Sequence, residues 1–166
     1  KNVLIKDDSP SLYLYDQRFN CEGEEYTRSG IICRIKLEEY HKNVVVPHEE
    51  TLPKAKLDRL ELMRECHANF SSVFDLYMHR ERADETMFEE VKKHQSPIID
   101  FTDENNQTHT IWKIEEPSLI SDYQALLSDK KVYIADGHHR YETALEFSRE
   151  MEARGKKDHD HAMITL

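Results

Sequence analysis

The residues best suited to bind an anion lie close together within the segment 132–145. A short apolar run of the kind that forms a strand is followed there by polar residues and a glycine: Asp136, Gly137, His138, His139 and Arg140. A helix is predicted to begin within this group. The first turn of a helix exposes unpaired backbone N–H groups and the positive end of the helix dipole, and both attract phosphate and similar anions. The sequence therefore predicts an anion-binding turn between a strand and a helix.

Each residue type in this turn has a chemical reason to be there. The Asp136 carboxylate is expected to cap the helix, and Gly137 has no Cβ, so a ligand can approach the backbone closely. Arg140 adds a permanent charge and a planar fork that suits phosphate, while the two histidines change charge near neutral pH. The residue order matches neither of the common glycine-rich phosphate loops. The alternative is a purely structural helix start with solvated histidines.

A second cluster of reactive residues lies at 47–51, between a predicted strand and a predicted helix. Glu49 is the first candidate for a general base or a positioning carboxylate, and His48 is the second. A histidine next to carboxylates also suits a divalent cation. The alternative is a polar helix entry in which Thr51 is the N-cap residue.

Other reactive residues are given structural interpretations. His159 and His161 are spaced like metal ligands on a strand, but they lie in a polar loop and are expected to be solvated. Trp112 is expected to pack in the core or the sheet rather than to form a base-stacking platform. Lys54 and Lys56 are expected on a solvated helix face.

The elements that must position these residues follow from hydrophobic periodicity and from turn residues. Strands are predicted at 12–21, 26–37, 44–46, 73–78, 97–101, 108–114, 132–135 and 162–166. Helices are predicted at 53–69, 83–93, 117–127 and from the anion-binding turn to about 153. Because hairpins and helices follow one another in mixed order, the sequence predicts an α+β fold with a mixed sheet, hairpins and packed helices.

Composition limits the class of protein. A length of 166 residues predicts a single domain over residues 1–166, and a net charge of −10 argues against nucleic-acid binding, which needs a basic surface. No apolar run approaches the roughly 20 residues that span a bilayer, so no membrane partner is expected. The three widely spaced cysteines predict buried or half-buried thiols in a reducing, cytoplasmic setting. The two ends read as the edges of an internal fragment of a longer protein.

The segment from Ile134 to Ala144 resembles the signature of a large bacterial and archaeal family of uncharacterised proteins. That family is similar to the free serine kinases and belongs to the ParB/sulfiredoxin-like superfamily, whose members hold nucleotide phosphates with a turn at this place. The residues that match the turn are Gly137, His138, His139 and Arg140. Further blocks upstream also resemble the family: 12–15, 28–31, 47–51, 56–60 and 111–112.

The resemblance implies a ParB/sulfiredoxin-like fold and the nucleotide phosphate-binding domain of a small-molecule kinase. The cofactor would be ADP or ATP with Mg²⁺, and the hydroxyl-bearing acceptor would be free L-serine. Asp136 and the matching turn residues would hold the phosphates, and Glu49 or His48 would serve catalysis.

Two other functions stay open on the sequence. One is a noncatalytic nucleotide-binding or switch module. The other is a metal-dependent hydrolase with His138, His139, Glu142 and His48 as candidate ligands. Adjacent histidines at a helix start diverge by about 100° around the helix axis, which disfavours joint ligation of one ion by His138 and His139.

Overall fold

The computed structural model describes residues 6–49, 51, 53–79 and 83–166, and only the backbone of residues 53–55. Its strands are β1 (Leu12–Cys21), β2 (Glu24–Lys36), β3 (Val45–Val46), β4 (Val73–Tyr77), β5 (Ile99–Thr102), β6 (Thr108–Ile114), β7 (Val132–Asp136) and β8 (His161–Thr165). Its helices are α1 (Pro53–Cys66), α2 (Ala83–His94), α3 (Pro117–Leu127) and α4 (His138–Ala153), with a short 3-10 helix at Tyr40–Lys42. No helix in these ranges is long and apolar enough to cross a membrane.

The predicted α+β fold is confirmed, and each predicted strand and helix has a counterpart in the structure. The largest difference lies at the end of α1, which was predicted to reach Asn69 and ends at Cys66. His67 has a positive φ of 50°, and its N–H bonds to the Met63 carbonyl. A left-handed residue of this kind ends a helix, because the chain no longer follows the helical path.

Hydrogen bonds join the eight strands into a mixed sheet in the order β3-β7-β4-β8-β2-β1-β6-β5. The described residues divide into two compact units. The first unit takes its residues from 1–31 and 79–129, and the second from 32–78 and 130–166. The organisation of the chain as a single domain stays a prediction.

The first unit contains two antiparallel strand pairs and two helices. Strand β6 pairs with β1 on one side and with β5 on the other. Phe88 of α2 and Tyr123 of α3 are buried, with ring centroids 6.3 Å apart. Trp112 is buried on β6, which confirms that it packs in the core.

The second unit has a more complex strand arrangement. Strand β7 is parallel to β3 and antiparallel to β4, while β8 is parallel to β4 and antiparallel to β2. Helix α1 packs on α4 around Leu60, Phe147 and Met151. The two helices run in the same direction, because Lys56 pairs with Glu142 and Arg64 pairs with Glu150, eight residues further along each helix.

The cysteines depart from the expected burial. Cys21 and Cys66 are exposed free thiols. Cys33 is half-buried, and burial raises the pKa of its thiol to about 12. The expectation of buried or half-buried cysteines is therefore correct for Cys33 alone. Cys21 and Cys66 lie at the ends of a strand and a helix, where few residues cover them.

Candidate functional site

The predicted anion-binding turn is a tight strand-to-helix connection in the second unit. Strand β7 ends at Asp136, and Gly137 is the N-cap residue with φ +98°. The Gly137 carbonyl accepts hydrogen bonds from the N–H groups of Arg140 and Tyr141 at 2.8 and 3.0 Å. No side chain of the described residues caps this helix. A helix start without a side-chain cap is the usual setting in which an anion binds.

Asp136 is not the N-cap residue, so that expectation is wrong. It still has the extended conformation of β7, and the cap position falls one residue later, on Gly137. Its Oδ2 atom instead accepts a hydrogen bond from Arg140 Nη2 at 2.6 Å. The carboxylate thus orients the arginine rather than the helix terminus.

Arg140 is held from three directions. Besides Asp136, its Nη1 atom donates to the Ser71 hydroxyl at 3.1 Å and to the Ser72 carbonyl. Gly137 is required for this arrangement. A Cβ atom at Gly137 would lie 2.7 Å from Arg140 Nε, and the positive φ would strain any L side chain. The glycine therefore serves both the turn and the seat of the guanidinium group.

The opposite side of the turn joins the two clusters that the sequence singled out. His138 is buried, and its Nε2 atom accepts a hydrogen bond from the backbone N–H of His48 at 3.2 Å. The two imidazole rings meet edge to face, with centroids 4.5 Å apart. Residues that are ninety positions apart in the sequence thus form one site.

The hydrogen bonds fix the proton positions on both histidines. His48 Nδ1 lies 2.7 Å from the Ile134 carbonyl. Because a carbonyl oxygen can only accept, His48 Nδ1 carries a proton, and in the neutral imidazole the lone pair is then on Nε2. Since His138 Nε2 accepts from a backbone N–H, the proton of neutral His138 is on Nδ1. Burial lowers the pKa of His138, although the Glu49 carboxylate acts in the opposite direction, so the neutral form is favoured.

Glu49 faces this proton. Its Oε1 atom lies 3.1 Å from His138 Nδ1, and its side chain is 52% exposed. Nδ1 has no hydrogen-bond partner among the described residues, so the distance describes an electrostatic contact. A small rotation of the exposed carboxylate would align the two groups. His138 can therefore orient the exposed Glu49 carboxylate.

His48, Glu49 and His138 are also the group best placed to hold a metal ion among the described residues. Their ligand atoms all lie within 4.8 Å of one another. His48 Nε2 and the Glu49 carboxylate are ready to ligate. His138 would first have to lose its Nδ1 proton, because its Nε2 atom already accepts a hydrogen bond. His139 is not a member of this group.

Glu142 ties the loop before α1 to α4. Its carboxylate accepts hydrogen bonds from the Thr51 hydroxyl and from Lys56 Nζ, the latter at 2.8 Å. Burial acts to raise the pKa of Glu142, but these hydrogen bonds outweigh it, so the pKa is lowered. The expectation that Lys56 is solvated is wrong, because it is half-buried in this ion pair. Glu50 and the Lys54 side chain lie outside the described residues.

Two buried polar residues near Arg140 were missed by sequence reasoning. Asp75 and Thr143 are each 1% exposed, and their side-chain oxygens have no hydrogen-bond partner among the described residues. Burial raises the pKa of Asp75 to about 7, although Arg140 lowers it. Alternation along β4 puts Asp75 on the same face as Val73, which is a signal that could have revealed a buried acid.

The histidines near the C-terminus are not simply solvated, so that expectation is wrong for His159. It is half-buried, with Nε2 3.3 Å from His67 Nδ1, and its ring meets Phe147 edge to face. His161 belongs to β8 and pairs with Asp160 at 2.8 Å. These histidines line a cavity of about 200 Å³ beside α4.

The fold and the site define an α+β protein with a candidate anion-binding turn next to a histidine–carboxylate cluster. The chain belongs to the family described as "Protein of unknown function (DUF1015)", whose family model matches residues 1–166. Comparisons with the curated proteins and with the solved structures gave no match. Membership of an uncharacterised family confirms that part of the resemblance. The relationship to serine kinases and to ParB and sulfiredoxin stays a prediction.

Proposed function

We propose that this chain is the nucleotide phosphate-binding domain of a small-molecule kinase that transfers phosphate from ADP or ATP to the hydroxyl of free L-serine. One observation carries the proposal. The uncapped start of α4 has Arg140 beside it, and a candidate base from a distant part of the sequence, Glu49, lies 3.1 Å from His138 in the same turn. A phosphoryl-transfer site needs both an anion cradle and a group that positions the acceptor.

The phosphates would be bound by the first turn of α4. The positive end of the helix dipole and the Arg140 guanidinium group would attract their negative charge. The exposed carboxylate of Asp136 suits Mg²⁺, which prefers oxygen ligands. When bound, Mg²⁺ would neutralise part of the phosphate charge.

The reaction then needs a correctly positioned acceptor. The serine hydroxyl oxygen forms a bond to the terminal phosphorus as the bond from that phosphorus to the bridging oxygen of the nucleotide breaks. The hydroxyl proton passes to the Glu49 carboxylate, which His138 orients through its Nδ1 proton. The contribution of the protein is mainly positioning and electrostatic stabilisation.

Isothermal titration calorimetry of Mg·ADP and Mg·ATP, with the wild type and with Arg140→Ala, tests the binding part of the proposal. We expect binding by the wild type and a loss of at least tenfold in affinity for the variant, because hydrogen bonds to charged groups contribute about 1.5–3 kcal/mol. Arg149→Ala is the matched control. It removes the same charge from α4, where Arg149 pairs with Glu39 on the surface, and should bind like the wild type. Equal affinity of Arg140→Ala and the wild type would refute the assignment of the turn.

A phosphoserine assay tests the transfer step. Formation of phosphoserine from labelled nucleotide and free L-serine is expected with the wild type. Nucleotide binding without product, in the complete protein and with serine in excess, would instead favour the noncatalytic nucleotide-binding or switch module.

A metal-dependent hydrolase is the second candidate, and the proximity of His48, Glu49 and His138 favours it. Metal analysis of protein purified without chelator separates the two functions. Stoichiometric zinc that is lost in His48→Ala would support the hydrolase, since paired histidines and a carboxylate suit Zn²⁺. Protein without tightly bound transition metal would support the kinase.

A further inference from the structure

A large aromatic side chain is exposed close to Arg140. Phe70 lies in the short connection between α1 and β4, and 63% of it is exposed. Leu62, on α1, is 50% exposed. Apolar side chains that are grouped at the surface rather than scattered mark binding sites.

These two side chains, together with Met63 and Ala68, form the apolar wall of one cavity. Arg59, Asn69, Ser71, Arg140 and Thr143 also line it. Arg59 and Arg140 together place two guanidinium groups at this cavity. The Thr143 hydroxyl, which is buried and has no hydrogen-bond partner among the described residues, adds an unused polar group.

The apolar wall is coupled to the anion-binding turn through the backbone. Phe70 directly precedes Ser71, whose hydroxyl accepts a hydrogen bond from Arg140 Nη1 at 3.1 Å. Consecutive Cα atoms are about 3.8 Å apart, so the Cα atom of Phe70 lies at that distance from the Cα atom of the serine that Arg140 contacts. A ligand that contacts both must combine a flat apolar ring with a nearby anionic group.

We propose that this cavity binds the base of the nucleotide, with the base stacked on Phe70 and the phosphates directed toward Arg140 and Arg59. The inference rests on the proposed nucleotide-binding function and adds the place of the base to it. A base has an apolar face for Phe70 and polar edges for the Asn69 amide and the Thr143 hydroxyl. The two arginines match the charge of the phosphates.

Comparing two ligands tests the proposal, because inorganic tripolyphosphate carries the phosphates of ATP without its base. For Phe70→Ala we expect the affinity for Mg·ATP to fall about tenfold or more, as is found when a stacked aromatic ring is removed. The affinity for Mg·tripolyphosphate should stay within about twofold of the wild type. Phe70→Tyr, which keeps a stacking ring, should restore binding of Mg·ATP.

Phe101→Ala is the matched control. Phe101, on β5 of the first unit, is 52% exposed and should have no effect on either ligand. Circular dichroism confirms that each variant is folded. A Phe70→Trp variant adds a direct signal, since stacking of the base should quench its fluorescence whereas tripolyphosphate should not.

The outcomes separate the two proposals. Wild-type affinity of Phe70→Ala for Mg·ATP would overturn the placement of the base and leave the phosphate site intact. An equal loss of both ligands in a folded Phe70→Ala protein would also overturn it, because Phe70 would then support the phosphate site. If the folded wild type binds neither ligand, the proposed function itself fails, and the base site fails with it.

Discussion

The two sides of the first turn of α4 hold their reactive groups in different ways. On one side, His138 is buried, neutral and hydrogen-bonded to the backbone of His48. On the other side, Arg140 is permanently charged and held by Asp136 and two serine residues at the surface. Helical residues two positions apart point in different directions. A single helix start can therefore keep a proton-handling side separate from an anion-binding side.

The pH responses of the two sides also differ in sign. Burial lowers the pKa of His138, so its contribution to stability is present above its usual pKa of 6.5 and is lost as the pH falls. Asp75 lies near Arg140 with its pKa raised to about 7. Its neutral form is favoured in the fold, so the folded protein loses stability as the pH rises from about 4 to about 7.

Glu49→Gln should give the largest effect and should affect the histidine side alone. We expect kcat for phosphoserine formation to fall about 10²–10⁴-fold, the usual contribution of a general base, with nucleotide affinity within about twofold of the wild type. Glu61→Gln makes the same change on the exposed face of α1 and should leave both quantities unchanged. Full turnover by Glu49→Gln would refute the role of Glu49 as the general base.

Asp75→Asn should change the pH dependence of folding on the arginine side. In the wild type, the free energy of unfolding is expected to be higher at pH 4.5 than at pH 8 through this residue, by at most about 4 kcal/mol. The amide does not titrate, so the variant should lose that difference. Urea unfolding at the two pH values measures it. An unchanged difference would mean that Asp75 is ionised in the fold across the whole range.

Gly137→Ala should disturb the seat of Arg140. Positive φ strain costs about 1–3 kcal/mol, and the added Cβ meets the guanidinium group at 2.7 Å. Gly155→Ala is the matched control, because Gly155 has φ +75° at the other end of α4 with nothing within 4 Å. Both variants should lose stability, but only Gly137→Ala should also weaken nucleotide binding. If Gly137→Ala and Gly155→Ala bind nucleotide with equal affinity, the position of Arg140 does not matter for nucleotide binding.

Lys56→Met should have the smallest effect on stability. The Lys56–Glu142 ion pair is partly exposed, and such pairs contribute up to about 1 kcal/mol. Arg64→Met removes the corresponding pair eight residues along the helices and should cost a similar amount. Glu142, the partner of Lys56, also accepts a hydrogen bond from Thr51 in the 47–51 loop. We therefore expect Lys56→Met, but not Arg64→Met, to lower turnover. A thermal unfolding series together with the phosphoserine assay distinguishes the two variants.

The fold was predictable because its local signals agree with its tertiary structure. Alternating apolar residues and turn residues mark β1 and β6, and Pro117 begins α3 as a first-position proline should. Gly155 follows α4 with a positive φ, as predicted for a helix stop. These features depend on neighbouring residues, which a sequence pattern can represent.

The site was predictable only as two separate clusters. The sequence indicates reactive residues at 47–51 and at 136–140, but their meeting depends on the parallel pairing of β3 with β7. The N-cap assignment of Asp136 failed because the choice between Asp136 and Gly137 depends on where the strand ends. Phe70 carries no sequence signal, since its exposure is a tertiary property.

The strand order of the second unit has a consequence for synthesis of the chain. None of its neighbouring strands are consecutive in sequence: β3 pairs with β7, β7 with β4, β4 with β8, and β8 with β2. Val45 precedes its partner Val132 by 87 residues, so at about 5–20 residues per second a ribosome makes the partner roughly 4–17 s later. During that time β3 and β4 carry open edges that can pair wrongly. The anion-binding turn therefore forms late, and its folding should be slow compared with that of the hairpin β5–β6.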